Sequence, residues 1–179
     1  SMVLGRTLTG GRGGRIHKRG VAAAAAAAGV ICALTVGGTM RRFAIVDDSM
    51  RPQFEPGDWV MAIRRCGVPR RGEVVIFTHP SHPGRFLIKR TIGLPGERVS
   101  AADGRIHIDE RVLADPWADR PINTVFDIRV PAGTVWVVGD NRSGPSVDSR
   151  VLDAIPLDDV GWKVVARYWP PSRAGRIDT

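Results

Sequence analysis

The chain has 179 residues, with 26 Lys or Arg against 18 Asp or Glu and a formal net charge of +8. Residues 1–42 hold seven basic side chains and no acid, which leaves 19 basic and 18 acidic side chains in 43–179, so the excess charge belongs to the N-terminal segment. A nearly neutral body argues against nucleic-acid binding, which needs a basic face on the folded part, and the length suits one compact domain plus an appendage.

In chain order the first element is VAAAAAAAGVICALTVGGTM, Val21 to Met40, uncharged over 20 residues. A bilayer core of about 30 Å takes a helix of about 20 apolar residues. The leading expectation is a single transmembrane helix over 21–40. A cleavable signal peptide and a soluble alanine-rich helix are the alternatives. Five basic residues (Arg6, Arg12, Arg15, Lys18, Arg19) precede the run. The positive-inside rule then puts residues 1–20 in the cytoplasm and everything after the helix on the far side, with Arg41 and Arg42 pulling against that orientation. Cys32 lies inside the run and Cys66 beyond it; they read as two unpaired thiols without metal-ligand neighbours.

From Phe43 on, runs rich in Val, Ile and aromatics alternate with Pro, Gly and Asp clusters. The runs are 58–63, 72–78, 85–93, 105–113, 124–130, 133–139 and 161–169. Strands at this spacing predict an all-β body of antiparallel ribbons, barrel-like in character. LDAIPLDDV (152–160) has room for one helical turn, and PPSRAGRIDT at the end reads as a loose tail.

Ser49, in VDDSMRP just before the first strand, has the ordinary reading of a turn serine bonded to its own backbone. A nucleophilic serine needs a base. Of the four histidines, His17 precedes the apolar run, and His79 and His82 share a hairpin loop, THPSHPG. Lys89 is the better candidate. In a strand it shares a face with Leu87 and Thr91, and desolvation on a half-apolar face lowers a lysine pKa. A neutral amine can take a proton from a serine hydroxyl. The ordinary reading of Lys89 is a strand lysine whose stem packs and whose head reaches water.

SMRP (49–52), KRTIGLPGE (89–97) and GDNRSGPSVDSR (139–150) resemble the three sequence boxes of type I signal peptidases, in the family's order and after an apolar segment. EPGDWV (55–60), RRGEVVIF (70–77) and DVGWKVVARYWPP (159–171) fit the stretches between them. The resemblance implies a cytoplasmic segment (1–20), a membrane anchor (21–40), an extracytoplasmic Ser-Lys peptidase domain (43–171) and a C-terminal tail (172–179). It implies a bacterial plasma-membrane endopeptidase that cuts exported pre-proteins after small residues. Its partners are those pre-proteins and the lipid membrane, not nucleic acid, and it needs no metal or cofactor. Ser49 matches the nucleophile and Lys89 the general base. Ser146 matches a serine bonded to the lysine amine, and Asp148 and Arg150 match an ion pair bracing the loop. Gly139, Asp140 and Asn141, at the head of the last box, read as a tight turn. Ile45, Val46, Phe54, Leu87 and Ile88 match the positions of shallow apolar substrate pockets, with the substrate bound as an added strand.

The chain departs from the family pattern in places. Asp47 stands where the family usually carries Ser or Gly, and where a hydroxyl serves as second oxyanion donor. An ionised carboxylate only accepts, so Asp47 is expected to point away from the oxyanion, to be protonated, or to hinder the reaction. Gln53 replaces a usual threonine, one extra residue separates Arg142 from Ser146, and RVLDAIP lacks the family's aromatic–glycine pair. The stretch from Arg98 to Val135 leaves room for only a small second β unit. The alternatives to a general signal peptidase are a dedicated maturation protease, a self-cleaving peptidase of the repressor type, and a catalytically impaired binding homologue.

Overall fold

The computed structural model describes residues 2–4 and 39–177. Most of the expected transmembrane helix therefore lies outside the described residues. Among the described residues no helix is long and apolar enough to cross a membrane. The last two residues of the expected span are described and are not helical: Thr39 sits in a turn and Met40 opens a strand.

The body is built almost wholly of antiparallel strands. In chain order they are β1 (Met2–Leu4), β2 (Met40–Ala44), β3 (Trp59–Arg64), β4 (Val74–Thr78), β5 (Arg85–Gly93), β6 (Arg98–Ala102), β7 (Arg105–Ile108), β8 (Arg111–Val112), β9 (Phe126–Arg129), β10 (Thr134–Val138), β11 (Ile155–Pro156), β12 (Val160–Trp169) and β13 (Gly175–Arg176). The main sheet runs β11-β10-β5-β4-β12-β3-β2, with β1 paired to β5 and β13 to β12. It is an open path with β11 and β2 at its two ends. A second sheet, β8-β7-β6-β9, is small, as the short stretch after Arg98 requires.

Pattern and packing agree strand by strand. β12 buries Val160, Trp162 and Val164 at alternate positions, the period of a strand with one face on a core. In β5, by contrast, every residue from Leu87 to Gly93 is buried. Its two faces feed different clusters: Ile88 packs with Phe43, Met50, Phe54, Val60 and Val164, and Leu87 with Val75, Phe77, Val137 and Ile155. A third cluster, with Ile92, Val99, Ile106, Val130 and Trp136, joins the end of β5 to the small sheet. Gly93 makes that junction possible, because a Cβ there would lie 2.5 Å from Val99 Cγ2 and 2.9 Å from Trp136 Cβ.

Two sequence expectations are corrected. Residues 105–113 are not one strand but the hairpin β7–β8, in which Ile108 pairs with Arg111 across Asp109 and Glu110. Both turn residues have positive φ, 46° and 68°, as a two-residue turn matched to strand twist demands. The tail is not loose: β13 pairs with β12 at Ala166 and Arg167, and Ile177 enters the main core. The stretch 152–160 does hold a helical turn, a 3-10 turn at Leu157–Asp159, and a second one, α1 (Ser149–Leu152), capped by the Asp148 side chain, begins ahead of it.

Candidate active site

The turn that carries Ser49 is pinned from both ends. Met50 and Phe54 are fully buried in the main core, and burying each contributes about 1.5–3 kcal/mol. Phe54 N donates to Met50 O at 2.9 Å, and Arg51 N to Asp48 O at 3.1 Å. Against this turn lies the loop after β10. Asn141 N donates to Ser49 O at 3.0 Å. The approach is so close that a Cβ on Gly139 would meet Ser49 O at 2.5 Å and Ser146 Oγ at 2.9 Å, so glycine alone fits.

β5 delivers Lys89 to the same spot, forty residues further along the chain. Its Nζ lies 2.8 Å from Ser49 Oγ and donates at 2.8 Å to Ile88 O. Lys89 is fully buried and Ser49 is 2 % exposed. The surface-lysine reading is thereby overturned: β5 is covered on both faces, so the head has no path to water. Burial lowers the Lys89 pKa from 10.5 to about 7, against the pull of Asp148 and Asp140 and with help from Arg150. An amine poised there carries its lone pair for a large share of molecules at neutral pH. In that state the Ser49 hydroxyl donates to Nζ.

Asp148 and Arg150 meet in a buried pair. Arg150 Nη2 donates to Asp148 Oδ2 at 2.8 Å and Nε to Oδ1 at 3.0 Å. Asp148 also accepts from Gly139 N at 2.9 Å. Burial alone would raise the Asp148 pKa, but the Arg150 hydrogen bonds and charge outweigh it and hold the carboxylate below its usual range. Ser146 does not bond Lys89; among the described residues its buried Oγ has no hydrogen-bond partner. The nearby Ser149, by contrast, is engaged away from Lys89, its Oγ accepting from Val137 N at 2.9 Å.

Asp47 does not point away from the site. Its Oδ1 accepts from the Ser49 backbone N–H at 3.0 Å. The five residues matched to substrate pockets do not converge: Ile45, Phe54 and Ile88 are buried in one cluster and Leu87 in another on the opposite face of β5. Of the five, only Val46, 38 % exposed, offers surface to an incoming chain. His79 and His82 face each other, Nδ1 to Nδ1 at 3.2 Å, and Ser81 N donates to His79 Nδ1.

Sequence reasoning missed a second buried network beside Lys89. Arg90 clamps Asp140 through Nε and Nη2, at 2.8 and 2.7 Å, and donates to Gly72 O at 2.6 Å. Trp117 covers its guanidinium at 4.8 Å. Arg142 lies 3.7 Å from Asp140 and clamps Asp115 through Nε and Nη2, at 2.9 and 2.8 Å, and also donates to Gly139 O. GDNR is therefore more than a tight turn. The available signal is Arg90 itself, since an arginine inside an apolar strand needs a fixed carboxylate.

The chain is similar to known proteins over most of its length. The family model for signal peptidase, peptidase S26, matches residues 18–169. A signal peptidase I of Leptolyngbya laminosa is 32% identical over 145 residues, covering 74% of this chain and 70% of that protein. A probable thylakoidal processing peptidase 2 of Arabidopsis thaliana is 31% identical over 144 residues, covering 74% of this chain and 39% of that protein. A solved signal peptidase I from Enterococcus faecalis V583 aligns at a TM-score of 0.47 and 27% identity, covering 54% of this chain and 96% of that one.

Proposed function

Because the chain belongs to the signal peptidase family of serine peptidases, peptidase S26, we propose that it is a membrane-anchored endopeptidase that removes signal peptides from exported pre-proteins, with Ser49 as nucleophile and Lys89 as general base. The observation that carries the reading is the buried 2.8 Å contact between Lys89 Nζ and Ser49 Oγ. Ser49 Oγ attacks the scissile carbonyl while Nζ takes its proton. The ammonium then protonates the leaving amine, and the regained amine activates the water that hydrolyses the ester. Asp148 and Arg150 hold the loop against which Lys89 packs. Val46 and the backbone around it meet the substrate, which lies as an added strand.

The test is direct. The purified full chain, incubated with an exported pre-protein, is expected to release a mature protein whose new N-terminus, read by mass spectrometry, follows a small residue. An unchanged pre-protein, or cuts scattered through its length, would sink the reading.

Supporting the anchor are the uncharged run of 20 residues and the five basic residues ahead of it. With that segment in the bacterial plasma membrane, residues 43–179 are extracytoplasmic. A tag at Thr179 is then expected to be cut by protease added to intact cells. A tag protected until lysis would reverse the orientation.

One observation favours a second reading, an impaired homologue that binds without cutting: the Asp47 carboxylate on the amide of the nucleophile.

A further inference from the structure

Attack by Ser49 turns the substrate's carbonyl oxygen into an anion. Such an oxygen is stabilised by donors placed about 2.7–3.1 Å from it. The backbone N–H of the attacking residue is the donor that travels with the nucleophile. In this chain that N–H is already engaged, donating to Asp47 Oδ1 at 3.0 Å. An amide hydrogen shared between two acceptors binds each of them more weakly than it would bind one alone. Asp47 and the developing oxyanion therefore compete for the same bond.

A local Asp bond to the amide two residues on is also a common way to shape a turn. Here the turn has other supports. Met50 and Phe54 are locked in the core, Phe54 N closes onto Met50 O, and Asn141 N holds Ser49 O. The Asp47 bond adds little to a loop held at that many points, whereas its cost falls on the one group that the chemistry needs.

We infer that Asp47 restrains this enzyme: its carboxylate holds the Ser49 N–H in the resting chain and must surrender it to the substrate's carbonyl oxygen before the tetrahedral intermediate forms. The inference rests on Ser49 as nucleophile. No covalent bond to Asp47 is made or broken; an acceptor is exchanged on one N–H.

The test compares the full chain with Asp47→Ala, Asp47→Asn and Asp47→Ser. Two readouts are used, kcat and KM on a pre-protein, and the rate at which a fluorophosphonate labels Ser49. Removal of one oxyanion donor costs about 10²–10³-fold in kcat in a serine protease, which sets the scale. Asp47→Ala is expected to raise kcat and the labelling rate about 10-fold or more, with KM little changed. Asp47→Ser, which adds a hydroxyl donor, should raise both further. Asp47→Asn keeps the shape and an acceptor without the charge, so it should fall between wild type and Asp47→Ala, and it stands in if the alanine variant misfolds. If Asp47→Ala and Asp47→Asn react no faster than wild type on either readout, the carboxylate is a turn element and the inference is overturned. It falls equally if Ser49 stays unlabelled in every variant. If labelling accelerates while no variant cuts the pre-protein, the inference stands and the substrate assignment fails.

Discussion

Ser49→Ala and Lys89→Met are each expected to lower pre-protein cleavage by about 10⁴-fold or more, the scale on which nucleophile and base removal act in serine proteases. The two should not add, because they disable one proton transfer. Lys89→Met is the informative member of the pair. It keeps the buried stem and removes the amine. In the folded chain the Lys89 pKa falls from 10.5 to about 7. Between those values the unfolded chain holds a proton that the folded chain lacks, so wild-type stability rises with pH across the window of about 7 to 10.5. At neutral pH the penalty still present is about 4–5 kcal/mol. Lys89→Met removes it, and should melt higher than wild type at pH 7 while being inactive. In wild type kcat/KM should climb tenfold per unit below pH 7 and level off above it, as the base loses its proton. A rate independent of pH from 5 to 9, or a Lys89→Met protein that still turns over, would remove Lys89 from the mechanism.

Asp140→Ala is expected to cost about 3–5 kcal/mol of stability, the range for leaving one member of a buried ion pair behind. Arg90 and Asp140 are both fully buried and joined by two hydrogen bonds. Without the carboxylate, a guanidinium remains beneath Trp117 with only Gly72 O to satisfy it. Replacing both residues by apolar ones should recover much of the loss, since an apolar pair of similar volume is often as stable as the ion pair. Chemical denaturation of Asp140→Ala and of the double Arg90→Met/Asp140→Leu protein checks both statements. A single variant within about 1 kcal/mol of wild type would mean that the site relaxes or admits water.

How much of this is legible in the sequence depends on whether a residue's own neighbours along the chain mark it. The strands around Trp59, Val74, Arg85, Thr134 and Val160 announce themselves through β-branched and aromatic runs between Gly and Pro breaks. β6 does not, because RVSAA is short and poor in such residues, although the Asp103–Gly104 turn after it is a usable hairpin cue. β2 hides because MRRFA follows an apolar run and reads as its charged flank. Ser49 and Lys89 are reachable because each sits in a distinctive local pattern. Asp115 is not: nothing near ADPWAD announces that its carboxylate will meet Arg142, 27 residues away. The side-chain direction of Asp47 is likewise a matter of one rotamer, which no spacing rule encodes.

That distant Asp115–Arg142 pair also bears on how chains of this architecture can gain or lose length. A surface segment such as 98–129 is ordinarily free to grow or shrink, since doubling a flexible loop adds only about 0.6 kcal/mol of closure entropy. Here the return path of the small sheet has to bring a carboxylate back to a guanidinium that is 1 % exposed and that lies within 3.7 Å of Asp140. Trimming the segment past Asp115 would strand that charge next to the strand bearing Lys89. The small sheet is thus negotiable in size but fastened by this pair as well as by its apolar seam with β5, more a handle on the catalytic body than an ornament that descendants could discard.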